Sequence, residues 1–596
     1  MLSLHAPSRV PLSPRVDTAI LSLCRRHTAW GMLELAIRRI VVNLQLFSEM
    51  ASSMLIHLTL SFGSLFPFAP LLRNSIGNSL MASREAAEKE PLKGEAPKIP
   101  DGKLTGSLLF AVFAVTLSSF QFGYHIGCIN APMDVIIKFV NASHHGMFSK
   151  RLDEGEIKMV WSIAVSMFAV GGMAGGLLSG TAADRFGRKG ALLLNNILAF
   201  IAAVLMTGSY YVNVYHLIIL GRLIIGFNCG LSSGLVPMYL TEVSPTNYRG
   251  MLGSVHQLLV TIAILFSQIL GLNFIFGDEF RWPYIFAFTV VPSAIQLLTL
   301  PACVESPKYS LIVKGKSDQA EHDLKKLRGT DEVVAEINEM KEEATIAANQ
   351  PKVSIADMFG PALRKPLIIA VMMMLSQQLS GINVAMFYSN EVFKGAGLAP
   401  MARTWATIAM GSVNVIMTVI SVWLVDHPKF GRRSLHLTGL TGMLISSLLL
   451  TGALTIFQKG AEGPPGHVNP YQSASYASIA FVLIFVISFA TGPGAIPWFF
   501  VSELFHSNER GTANSIAVAV NWTANLFVGL CFLPLNNAIG QYSFLVFCAF
   551  LAFFIFYTYK FVPETKGKTV DEVLADVNGR TERSSKLEEV EMDTRN

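Results

Sequence analysis

A chain of 596 residues that is 52% hydrophobic and only 15% charged, with a mean hydropathy of +0.46, carries too little charge to cover the surface of a soluble protein of that length. The net charge of +5 is modest and suits basic loops beside a membrane better than a nucleic-acid footprint. Forty Phe and 47 Gly suit helices packed in lipid, where small residues let backbones approach. In chain order, apolar runs long enough to cross a bilayer fall at 105–128, 159–182, 190–210, 214–236, 252–275 and 283–302. A charged stretch from Glu305 to Lys365 follows, within which Lys314 to Glu343 reads as short soluble amphipathic helices. Six more runs lie at 366–388, 405–425, 434–457, 474–500, 512–534 and 541–562. The expectation is an all-α membrane protein of about twelve spans. Its divisions are an N-terminal extension and tail (1–103), a six-helix half (104–303), a linker (304–365), a second six-helix half (366–562) and a C-terminal tail (563–596).

Arg185, Arg188, Lys189, Arg249, Lys429, Arg432, Arg433 and Arg510 follow spans two, four, eight and ten, whereas the loops of the other side hold few basic residues. The positive-inside bias then puts both termini in the cytoplasm. The loop after span one becomes external, and Asn141-Ala142-Ser143 within it is a candidate glycosylation site. A second match at Asn521 lies inside a span and is discounted. Cys24, Cys128, Cys229, Cys303, Cys531 and Cys548 have no metal-like spacing and read as packing residues.

The two halves repeat one another. Asp184, Gly187, Arg188 and Lys189 after span two are matched by Asp426, Gly431, Arg432 and Arg433 after span eight. Glu242 stands seven residues before Arg249, and Glu503 seven before Arg510. Glu305 after span six is matched by Glu564 after span twelve. Parallel repeats of this kind place a substrate at the midplane between halves that rock around it. Glu242, Arg249, Arg432, Arg433, Glu503 and Arg510 are expected to form a charge network pairing across the halves, held in one access state and broken in the other.

These residues carry a resemblance. GTAADRFGRKG at 180–190 is similar to the major facilitator signature. PMYLTE at 237–242, VESPK at 304–308, GRR at 431–433 and PETKG at 563–567 resemble sugar porter motifs, as do QQLSGIN at 377–383 and GPGAIPW at 492–498. The chain is similar over about 104–575 to the animal facilitative glucose transporters. A sugar offers hydroxyls and no charge, so a site needs neutral amides and an aromatic face. Amides inside spans are costly in lipid unless they face a partner or a wet cavity. The resemblance implies that Gln257, Gln377, Gln378, Asn383, Asn414, Trp498 and Asn521 line the substrate site; Phe387, Tyr388 and Phe489 are candidates for aromatic gates or for core, with Tyr388 in the family's gate region and Phe387 where many members have Tyr. On a straight helix Gln378 and Asn383 point about 140° apart, so Ser380-Gly381 is expected to break span seven. Gly492, Pro493, Gly494 and Pro497 should weaken span ten beside Trp498.

The chain also departs from the resemblance. His125 stands where relatives have Asn or Asp, which makes it a candidate pH-sensitive group or a neutral hydrogen-bonding one. Met374 and Ala490 replace a Gln and a Glu of glucose-selective members, while Trp498 favours glucose over fructose. Arg222, a charge inside span four, needs a partner. Residues 1–80, with seven Arg, no Lys and three acidic residues, do not fit the family and read as an extension before an ordinary start at Met81. The expected function is facilitative uniport of a hexose, D-glucose first, at the plasma membrane. A proton-coupled sugar or polyol symporter, a fructose carrier and a non-transporting sensor are the alternatives. No enzyme chemistry, cofactor, metal or nucleic-acid partner is expected; the partners are a hexose and the bilayer.

Overall fold

The computed structural model describes residues 103–130, 132–348, 353–461 and 469–579; the expectations for residues 1–80, Met81 and Cys24 lie outside them. Among the described residues the chain is all-α, with eleven runs long and apolar enough to cross a membrane. The last run, Asn508–Phe561, contains two separate helices, which brings the spans to twelve. Leu109, Phe113, Ile201, Val204, Phe553 and Phe556 point outward, as a lipid-facing surface requires.

Span one is α1 (Gly106–Gly127), capped by Thr105, whose hydroxyl accepts from Leu108 N–H. The segment after it, expected as a loop, contains α2 (Met133–Phe148). Ile136, Val140 and Ser143 fall on one helical face and are buried, which is the amphipathic signal the search for long apolar runs passes over. The glycosylation candidate therefore sits on a helix. Asn141 Oδ1 accepts from Leu152 N–H at 3.0 Å, and buried Ser143 donates to Asn213 O at 2.7 Å.

Spans two to five are α3 (Glu154–Phe186), α4 (Arg188–Tyr211), α5 (His216–Val243) and α6 (Arg249–Leu270). α3 runs beyond 159–182 at both ends. Asp153 and Glu156 form a capping box at its start, and Gly187 (φ 81°) stops it in a conformation that disfavours a side chain. Span six is two short helices, α7 (Pro283–Ala287) and α8 (Val290–Thr299). The linker holds α9 (Ser317–Arg328) and α10 (Val334–Ala348) around a small core of Leu311, Leu324, Ile337 and Met340. Arg328 clamps Glu336 (2.6 and 3.0 Å) and donates to Val243 O at 2.8 Å, which ties this linker to the end of α5.

Span seven is broken into α11 (Arg364–Gln378) and α12 (Ile382–Gly395). Spans eight and nine are α13 (Pro400–Asp426) and α14 (Arg432–Ala461). Span ten is broken into α15 (Gln472–Thr491) and α16 (Ile496–Leu504), and spans eleven and twelve are α17 (Ser507–Ile539) and α18 (Ser543–Phe561). The first six spans meet the last six along two principal seams, α3 against α17 and α6 against α13. A two-fold repeat exchanges spans two with eight and five with eleven, so each seam maps onto the other.

Candidate functional site

The break in span seven falls where Gly381 takes φ 90°, a left-handed conformation that a side chain resists. α11 ends on Gln378 and α12 restarts at Ile382, so Gln378 and Asn383 no longer share one helical screw. Asn383 Nδ2 now donates to Gln378 Oε1. Gln378 Nε2 donates to Asn521 Oδ1 at 2.9 Å, and Asn521 Nδ2 donates to Gln377 Oε1 at 2.8 Å. Gln377 Nε2 then donates to the carbonyls of Pro493 (3.0 Å) and Gly494 (2.8 Å). Those carbonyls lie in the break of span ten, where no helix uses them. Four buried amides from spans seven and eleven thus form one chain anchored on the span-ten break.

Trp498 lies in the first turn of α16. Its ring stands edge-on to His256 (5.3 Å) and to Phe122 (6.2 Å), and its Nε1 has no hydrogen-bond partner. Gln257 and Asn414 are buried but are not hydrogen-bonded to the amide chain; they lie on α6 and α13, and Asn414 Oδ1 is unpartnered. Two aromatic side chains that the sequence reading did not single out stand here. His256 pairs with Ser119 Oγ at 2.8 Å and leaves Nε2 unpartnered. Trp522 lies tilted against Phe122 (5.1 Å) and edge-on to Phe168 (5.2 Å), and its Nε1 donates to Ser233 Oγ across the two sets of spans (3.1 Å). An imidazole and an indole inside apolar runs, each next to an amide already singled out, are the signal that marks them.

The aromatic candidates flank the breaks. Tyr388 departs from helical geometry (φ −127°), donates to Gly529 O at 3.0 Å and stacks on Phe532 at 5.4 Å. Phe387 is buried edge-on to Tyr388, and the ring of Phe489 packs on Gly494. Above and below the amides the two sets of spans touch. Asn130 donates to Met386 O (3.1 Å) and Ser389 Oγ (3.0 Å) at one end. At the end with the basic loops, Gly180 N–H donates to Ser515 Oγ (2.8 Å) and Asn514 to Gly234 O (3.1 Å).

His125 is fully buried, with Nε2 2.9 Å from Thr289 Oγ1 and Nδ1 facing Cys128 Sγ at 3.7 Å. The partners that the sequence left unnamed for Arg222 are the carbonyl of His125 (2.9 Å) and the face of Phe168 (4.2 Å).

At the basic face Arg188 and Arg432 each grip acids of their own half, while the Arg510 charge of the second half also acts on Glu242 of the first. Arg188 grips Glu242 through Nε and Nη2, both at 2.8 Å, and Ser306 Oγ adds a bond of 2.6 Å. Arg432 Nη2 reaches Asp426 (3.1 Å) and Glu503 (3.4 Å), and Thr565 donates to Glu503. The reason is helix ends. Glu305 accepts the N–H groups of Arg188 and Lys189 at the start of α4, and Glu564 those of Arg432 and Arg433 at the start of α14. Each arginine is thereby fixed beside its own half's acid. Burial raises the Glu305 carboxyl above its ordinary range, and burial with the nearby Arg432 charge lowers the Lys566 ammonium. Arg433 caps the end of α18 through the carbonyls of Thr558 and Tyr559. Arg249 opens α6, and Arg510 donates to Phe505 O at 3.2 Å. Across the α6–α13 seam, Met251 N–H donates to Asp426 Oδ2 at 2.6 Å.

Paired helical halves, broken spans that meet at a buried cluster of neutral amides, and duplicated charge clusters at one face are the parts of a membrane carrier. The chain belongs to the family described as "Sugar (and other) transporter", which it matches over residues 110–576. It is 60% identical over 509 residues to "Facilitated glucose transporter protein 1" of Caenorhabditis elegans, covering 84% of this chain and 98% of that one. It is 42% identical over 479 residues to "Solute carrier family 2, facilitated glucose transporter member 3" of Mus musculus, covering 80% and 94%. Among solved structures it resembles the proton:xylose symporter XylE bound to 6-bromo-6-deoxy-D-glucose, with a TM-score of 0.68 at 27% identity, covering 80% of this chain and all of that one.

Proposed function

We propose that this chain carries hexoses, D-glucose foremost, down their gradient across the plasma membrane by alternating access. The observation that carries this reading is the neutral amide chain of Gln377, Gln378, Asn383 and Asn521 beside Trp498. Amides both donate and accept, as an uncharged polyol requires, and here they satisfy one another until a ligand's hydroxyls replace those bonds. The names of the worm and mouse relatives support glucose and a facilitative cycle. Residues 104–303 and 366–562 are the rocking units, 304–365 their cytoplasmic link, and 563–596 the tail. Both termini face the cytoplasm, as the basic loops argue. Asn141 on the external side carries the glycan, added before α2 folds.

The test is uptake of labelled D-glucose into proteoliposomes at two pH values, with L-glucose as control. Saturable, stereoselective uptake that only equilibrates supports uniport. Accumulation driven by a proton gradient would replace it with symport and put His125 first for mutation. Uptake of fructose without glucose would move the substrate to the alternative that Met374 and Ala490 suggest. Gln378→Ala removes the bonds to Asn521 and Asn383, and we expect KM for the transported hexose to rise roughly tenfold.

A further inference from the structure

Gln268 lies near the end of α6 away from the basic loops, 2% exposed, and neither its Oε1 nor its Nε2 has a hydrogen-bond partner. Its amide oxygen rests against Gly411 of α13, where even a Cβ would overlap it. Asn414, one turn further in on α13, is also 2% exposed and has its Oδ1 unpartnered. On α6, Gln268 is about 16 Å from Gln257 along the axis and about 20° from it around the helix, so both amides share the stripe facing α13. Packing alone does not account for a glutamine here. Leucine would fill the same seam and bury no unsatisfied polar atom. What accounts for it is a neutral partner present for part of the cycle, whose hydroxyls donate and accept when α6 and α13 part.

We propose that Gln268 forms an outer relay for a polyhydroxyl solute on the α6–α13 seam, which hands it to Asn414, Gln257 and the amide chain beyond. This rests on the hexose reading above. The relay acts on entry from the outer face and on exit toward it. A passive carrier must keep Vmax/KM equal in the two directions, because net flux vanishes at equal concentrations. Loss of the relay therefore has a sided signature.

The experiment measures zero-trans influx and efflux of D-glucose in proteoliposomes holding the full chain. Gln268→Leu is expected to raise the KM of influx about fivefold with Vmax held, and to lower the Vmax of efflux about fivefold with KM held. Gly411→Ala, which displaces the Gln268 amide without removing it, is expected to shift both quantities in the same directions and serves if the leucine variant does not fold. An influx KM unchanged in both variants, or a KM raised equally in both directions, overturns the relay. If the wild-type chain takes up no D-glucose, the hexose reading falls and the relay with it. If the wild type transports and the variants match it, only the relay falls.

Discussion

In the first half Arg188 holds Glu242 by two bonds of 2.8 Å, with side chains only 8% and 4% exposed. At the equivalent place in the second half Arg432 divides one nitrogen between Asp426 at 3.1 Å and Glu503 at 3.4 Å, and those acids are 23% and 14% exposed. Asp426 also takes the Met251 N–H in the first turn of α6, so its charge sits at a helix N-terminus belonging to the other half. A Cβ at Gly250 would overlap Asp426 and Arg432, whereas a Cβ at Gly511, the equivalent glycine, would lie 3.9 Å from Asp184 in ordinary contact. The duplicated motif has thus diverged in tightness. One copy clamps a single deeply buried acid; the other divides its arginine between two acids, one of them at the seam it must open.

The largest effect that would sharpen this comparison comes from the arginines. Arg188→Leu leaves Glu242 buried with only the Ser306 bond and the more distant Arg510 charge, and we expect a loss of roughly 3 kcal/mol, read as a fall in melting temperature and in folded yield. Arg432→Leu leaves acids with more water and looser geometry, and roughly 1–2 kcal/mol is expected. Equal losses would break the distinction. Next come the glycines. Gly250→Ala should slow uptake about tenfold, since crowding a packed seam costs about 1–3 kcal/mol, while Gly511→Ala should change it less than about twofold. Slowing at Gly511 as strong as at Gly250 would show the two seams to be equally tight. The smallest effect is Asp426→Asn. The amide oxygen still accepts from Met251, but the charge at the α6 terminus is gone, worth about 0.3–1 kcal/mol. Uptake should change no more than about fivefold, and a loss of folded protein would mean that Asp426 belongs to a clamp after all.

The spans were legible because twelve long apolar runs have few alternatives, and Gly381 and Gly492 to Gly494 marked both breaks by chain chemistry alone. The ends of α3 and α5 were not, because Glu156, Asp184 and Glu242 continue a helix with charged residues that a search for apolar runs discards. α2 escaped because its buried face is only a few residues long. At the basic face, residue types and repeat were readable, but the choice of partner depends on how Glu305 and Glu564 hold the starts of α4 and α14, a matter of angle rather than spacing. The same holds for the amides. Their identity is written in the chain, yet the bond between Asn521 and Gln377 joins residues 144 positions apart and follows only from the packing of α17 on α11.

Trp522 spans that packing from another direction. Its indole lies over Gly172, where no side chain intervenes, and its N–H ends on a serine of the opposite half. Rocking that separates α17 from α5 would strip that hydroxyl from the ring and change the polarity around it. The light an indole emits follows its surroundings, so the chain carries an optical gauge of its own cycle, built from a natural residue and needing no added dye.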